Sequence, residues 1–277
     1  MLIQYIIMQK NLSLIMIAFF LSVSFVSGQK REVKVGTFSK VAFSMPGKLY
    51  LRQGSPQKVE LEGDKETLEK VKVETDGDKL VIKQEGNWFN WSSDDHEIKV
   101  YVTIEKVDGI YVSGSGSLIG ETKLSANELD VKVSGSGSAD IDANVKGELE
   151  SSVSGSGSLT LKGSCRSYEG SLSGSGRIKI NENISGNADF SISGSGRIEG
   201  QGTAGSVNAS ISGSGKLLAA NLETSKCVAK ISGSGDVEIS VKNDLDAHIS
   251  GSGSVSYRGN PPHINSHASG SGSVRKL

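Results

Sequence analysis

The tetrapeptide Ser-Gly-Ser-Gly occurs nine times in this chain, beginning at Ser113, Ser134, Ser154, Ser173, Ser193, Ser212, Ser232, Ser250 and Ser269. Successive copies are 18 to 21 residues apart. Self-similarity at a fixed period marks an architecture of stacked units, each too small to bury its apolar face alone. The tetrads hold 18 of the 35 glycines: Gly114, Gly116, Gly135, Gly137, Gly155, Gly157, Gly174, Gly176, Gly194, Gly196, Gly213, Gly215, Gly233, Gly235, Gly251, Gly253, Gly270 and Gly272. They are structural repeat positions, because Gly-rich linkers show no such regular placement.

The flanks repeat with the tetrads. The residue before each is Val112, Val133, Val153, Leu172, Ile192, Ile211, Ile231, Ile249 or Ala268, and a second apolar column begins with Leu118, Ala139, Leu159, Ile178 and Ile198. A third column includes Leu129, Leu149, Tyr168, Ala188, Val207, Cys227, Leu245 and Ile264. All three are separated by even numbers of positions, so period 2 runs through each unit and predicts strands. The same parity predicts that both tetrad glycines face inward and both serines outward. Units of this size, stacked at about 4.8 Å, predict an all-β solenoid, a parallel β-helix with 19 to 20 residues per coil and a length of roughly 40 Å over nine coils.

The chain divides into three parts. Residues 1–28 include an apolar run from Leu12 to Val26 preceded by Lys10 and followed by Ser27-Gly28, the pattern of a secretory signal peptide cleaved before Gln29. The run is about 15 residues, short of the roughly 20 needed for a membrane span. No cysteine follows the cleavage point, which argues against a lipid-anchored product; a secreted, periplasmic or outer-envelope location is expected, with no transmembrane anchor after cleavage. Residues 29–110 lack tetrads but alternate polar with apolar, as in Lys48-Leu49-Tyr50-Leu51 and Lys79-Leu80-Val81-Ile82. They form either irregular opening coils of the same domain or a small sandwich over the solenoid end. Residues 111–277 are the regular solenoid.

The segments Tyr101-Val102-Thr103-Ile104 and Ile110-Tyr111-Val112-Ser113-Gly114-Ser115-Gly116, the repeated tetrads, and the closing Tyr257-Arg258-Gly259-Asn260-Pro261-Pro262 together resemble the "head GIN domain" family, also called the "putative autotransporter adhesin" family. The resemblance covers nearly the whole chain after the leader. It implies a right-handed coil related in shape to pectin lyases, and a secreted or envelope protein of a kind common in Bacteroidetes. It carries over a suggestion of adhesion and no catalytic residues.

Candidate chemistry was weighed position by position. A net charge of -1 leaves no cation surplus for a nucleic-acid partner. Gly194-Ser195-Gly196-Arg197-Ile198-Glu199-Gly200 approaches a dinucleotide loop, but such a loop opens a helix, and nine copies with strand parity exclude it. A glycosidase needs two carboxylates about 5 to 9.5 Å apart; the outward columns instead place Lys179 near Glu199 and Lys216 near Asp236. Trp88, Phe89 and Trp91 are either an aromatic platform for a sugar or protein partner or a plug over the solenoid end. Asp94, Asp95, His96 and Glu97 are consecutive, so their side chains diverge and no metal site is expected. Cys165 and Cys227, about three coils apart, are too distant for a disulfide whose Cα atoms must lie within about 7 Å. His248 and His267 share one outward column. No cofactor is expected. These features favour a non-enzymatic adhesion or binding module for glycan or envelope protein; the alternatives are a polysaccharide-active enzyme on the same scaffold and a self-assembling envelope component.

Overall fold

The computed structural model describes residues 29–85 and 98–277. The leader and the Trp88 to Trp91 segment lie outside them. The described residues form a β-solenoid of twenty-three strands with one short helix, Lys65–Glu69, capped by Asp64, whose carboxylate accepts from the Thr67 N–H at 2.9 Å.

Each coil contributes two strands, one leading into the tetrad and one leaving it. Glu148–Gly155 and Ser158–Cys165 form one coil, and Ser167–Gly174 and Arg177–Ile184 the next. Leading strands pair only with leading strands, in parallel and in register: Val153 opposes Leu172, and Leu172 opposes Ile192. Trailing strands do the same, with Leu159 on Ile178 and Ile178 on Ile198. The repeat spacing therefore gives the register directly. The apolar residues of both sheets alternate inward, and Ile178, Ile198, Leu217, Val237 and Val255 are completely buried. Each such side chain is worth about 1.5–3 kcal/mol when removed from water, but only if coils lie above and below it.

The tetrad is the corner between the two sheets, and its glycines differ from the expectation. The second, such as Gly196, is buried and faces inward as predicted; the first, such as Gly194, lies at the surface. Parity fails there because the chain turns: Gly194 has φ of +115°, a left-handed conformation that side chains disfavour. A Cβ on Gly194 would stand 2.7 Å from the Gly174 carbonyl of the coil before, and one on Gly196 would meet the Gly176 carbonyl and Leu172 Cδ2, both at 2.7 Å. Stacking therefore demands glycine at both places, and dihedral freedom adds to the demand at Gly194.

The opening half contains parallel and antiparallel strand pairs. Lys40–Ser44 and Lys48–Gln53 pair in parallel with Gly109–Gly114 and Ser117–Gly120 and make a true coil. Lys79–Gln84 and Lys99–Ile104 stack in parallel on its other side. Beyond them Val71–Asp76, Lys58–Gly63 and Gln29–Val33 run antiparallel and finish that end. Among the described residues, no antiparallel strands cover the far end. Its last strands are His263–Ser269 and Ser273–Lys276, and Ile264, in a column otherwise buried, is 46% exposed.

The core adjusts where large residues enter. Tyr168 is buried, its hydroxyl 2.6 Å from Ser151 Oγ and its ring 5.5 Å from that of Phe190. Ser151, Gly170 and Phe190 are axial neighbours, so a small residue, none and a large one alternate around the phenol. Replacement Gly196→Ala is expected to destabilise the fold by roughly 1–3 kcal/mol through overpacking. Ser195→Ala, on the outside of the same corner, is expected to stay within about 0.5 kcal/mol. Urea unfolding followed by circular dichroism measures both.

Candidate interaction faces

Along each coil every second residue points outward, so the stacked leading strands present one set of outward columns and the stacked trailing strands another. On the leading face the first tetrad serines form one column, Ser134 opposing Ser154 and Ser154 opposing Ser173. Beside it run Ser152, Ser171, Ser191 and Ser210, and beyond these Glu150, Glu169, Asp189 and Asn208. A shallow depression here is lined by Glu169, Asp189, Ser191, Asn208, Ser210 and Lys230. His248 and His267 are in register as the spacing predicts, and His248 Nε2 lies 3.0 Å from Asp246.

On the trailing face charges pair between coils. Glu199 receives Arg177 at 3.5 Å and Lys179 at 3.4 Å, and Lys216 meets Asp236 at 2.7 Å. The Lys179–Glu199 and Lys216–Asp236 pairs are those expected from the aligned repeats; Arg177 is an additional partner of Glu199. The Glu199 carboxylate is thus held between two cations, both of them from the coil before. Among the described residues no group of three or more His, Cys, Asp or Glu is placed to hold a metal ion. Trp88, Phe89 and Trp91, with Asp94 to Glu97, lie outside the described residues.

One acid escaped the reading of the sequence. Glu182 points into the core, is 1% exposed, and neither carboxyl oxygen has a hydrogen-bond partner. Its axial neighbours are Gly163 and Gly202, both with positive φ, where a Cβ would collide with the backbone carbonyl of the coil before. Burial pushes its carboxyl up to about 8; the Asp142 carboxylate adds to the push and Lys123 opposes it. A strongly shifted acid often marks a catalytic site, but this one is closed off from substrate. The signal was available: in Arg177-Ile-Lys-Ile-Asn-Glu182 the acid occupies the inward parity, flanked one coil away on each side by glycine.

Cys165 and Cys227 are both free and buried, and burial pushes each thiol up to about 12. The structure agrees with the spacing argument against a disulfide. Both are expected to resist thiol reagents in the folded protein and to react fully in urea.

The arrangement defines a class: a two-sheet β-solenoid whose ordered outer faces offer repeating polar and charged columns. No match was found among curated proteins. The chain belongs to the family described as "Putative auto-transporter adhesin, head GIN domain", which matches residues 37–200 and 185–261. Crystal structures share the fold. A "putative lipid binding protein" from Parabacteroides distasonis is 23% identical with a TM-score of 0.66, the match covering 91% of this chain and 98% of that one. A "putative adhesin" from the same species is 19% identical with a TM-score of 0.67, covering 90% and 96%. Another from Parabacteroides merdae is 19% identical with a TM-score of 0.63, covering 91% and 97%.

Glu182 generates a pH dependence of definite sign. The unfolded carboxyl loses its proton near 4.5, whereas the folded one keeps it to about 8. The folded state therefore binds more protons between these values, and stability falls as pH rises through that window, by several kcal/mol in order of magnitude. The carboxyl faces Asp142 and Lys123 and acts on Cys165 and Tyr168, which themselves titrate above the window. Melting temperatures at pH 4.5 and pH 8.5 are expected to differ less in Glu182→Gln than in the parent.

Proposed function

We propose that this protein is a non-enzymatic binding rod of the secreted or envelope compartment, which engages glycan or envelope protein as an adhesion module. The observation that carries the reading is the pair of flat outer faces, whose repeated serine and charged columns suit contact with an extended partner. The ion-paired state of Glu199 and the enclosure of Glu182 argue in the same direction, because neither leaves an acid free to work on a bound sugar. Family membership supports adhesion, and the fold neighbours from Parabacteroides, two of them named as adhesins, are consistent with it. The lipid binding named for the third would have to use an outer face here, where the depression described above opens beside Glu169, Asp189, Asn208 and Lys230.

Trp88, Phe89 and Trp91 are proposed as partner contacts. Their flanking strands, Lys79–Gln84 and Lys99–Ile104, belong to a coil near the covered end of the rod. The test is a panel of labelled polysaccharides and envelope fractions, read for retention and for cleavage products. Retention without products, weakened at least tenfold by Trp88→Ala with Trp91→Ala, is the expected result. Release of shortened oligosaccharides by the parent protein would overturn the reading in favour of a polysaccharide-active enzyme. Retention unchanged in the double variant would remove the aromatic segment from the site.

A further inference from the structure

The two faces of the central coils carry opposite charge. The leading strands Glu148–Gly155, Ser167–Gly174 and Asn187–Gly194 contain Glu148, Glu150, Glu169 and Asp189, all exposed, with no Lys or Arg. Behind them, the trailing strands of the same coils expose Lys162, Arg177, Lys179 and Arg197 against one outward acid, Glu199. Each set is also laddered. Glu150 is in register with Glu169 and Glu169 with Asp189; Arg177 is in register with Arg197 and Arg197 with Lys216.

Like charges stacked about 4.8 Å apart repel, and neighbours within the molecule neutralise them only in part. On the acidic side Lys132 reaches Glu150 at 3.6 Å and Asp189 accepts a hydrogen bond from Asn208 Nδ2 at 2.7 Å; on the basic side Lys162 meets Asp140 at 3.4 Å, Lys216 meets Asp236 at 2.7 Å, and Arg177 and Lys179 share the single carboxylate of Glu199. Glu148, Glu169 and Arg197 make no ion pair among the described residues.

We propose that copies of this protein associate side by side, the acidic leading face of one rod seated on the basic trailing face of the next. Three observations select a second copy as the occupant. The acidic and basic columns have the same rise per charge, because both are set by coil stacking, and each covers three consecutive coils. They are displaced from each other by one coil, since the acids begin at Glu150 and the cations one repeat later at Arg177, so a partner slides by about 5 Å to match them. The column between the acids and the corner is all serine, Ser152, Ser171, Ser191 and Ser210, which lets another flat sheet approach closely. An anionic polymer would explain the basic face and leave the acidic face unaccounted for. A net charge of -1 leaves no long-range repulsion between copies. Because the two contacting faces differ, the contact is heterologous and propagates into rows.

The test is sedimentation velocity across a concentration series, from low salt to about 1 M, where the screening length falls to about 3 Å. Two variants are compared: Glu150→Lys with Glu169→Lys, and Arg177→Glu with Arg197→Glu. All four side chains are exposed, and circular dichroism verifies the fold. The parent is expected to form assemblies at low salt that dissociate at high salt, and each variant alone to lose them, with at least a tenfold weaker association. An equimolar mixture of the two variants is expected to restore assembly, because the reversed faces complement one another. A parent that stays monomeric at low salt, or assemblies that persist in both variants, would overturn the proposal. So would retention of the monomeric parent on polygalacturonate lost only in Arg177→Glu with Arg197→Glu, which would assign the basic face to an anionic polymer. The inference is independent of the partner binding proposed above: the tryptophan variants test one and the charge reversals the other.

Discussion

The structure depends on one short hydrogen bond repeated along an axis. In seven successive coils, from Ser136 to Ser252, the N–H of the second tetrad serine donates to the carbonyl of the first glycine of the coil before, each at 2.9 Å. The corner can make this bond only if consecutive turns approach until no Cβ fits between them. Glycine in the tetrad is therefore a consequence of backbone contact between coils. The serines, on the solvent side of the same corner, satisfy a weaker demand for a small polar residue. From this contact follow the register of the sheets, the apolar columns of the core and the order of the outer faces.

The solenoid half was legible because a repeat converts sequence alignment into spatial adjacency. Once the tetrads are superposed, Val153, Leu172 and Ile192 have to be stacked, Lys179 has to lie near Glu199, and Cys165 has to be remote from Cys227. Parity misplaced the first glycine of each tetrad because alternation holds only while the chain stays extended, and Gly194 is where it bends. Glu182 was missed for a related reason: its in-register neighbours are Gly163 and Gly202 rather than apolar residues, so only parity marks the position as inward.

The opening half was harder, since its strands carry the alternating pattern without a repeat to align them. Nothing in Lys40–Ser44 shows that its neighbours on either side are Lys79–Gln84 and Gly109–Gly114, strands that follow it by unequal distances along the chain. Nor does alternation distinguish a parallel partner from an antiparallel one, which is the difference between another coil and the end of the rod. The outer faces were legible as columns but not as a polarised pair, because that contrast emerges only when the two strands of a coil are assigned to opposite sides.

The unequal ends give the rod a direction of wear. At one end antiparallel strands bind residues distant in sequence, so that no single strand can leave without disturbing several others. At the other, Ile264 looks into solvent, and among the described residues the last coil pairs with one neighbouring coil only. A molecule built this way has a gradient of local unfolding along its length: the last coil opens first, then the one it uncovered, each step exposing a new edge equivalent to the old. Amide exchange is therefore expected to be fastest in the coil of His263–Ser269 and to slow from coil to coil away from it.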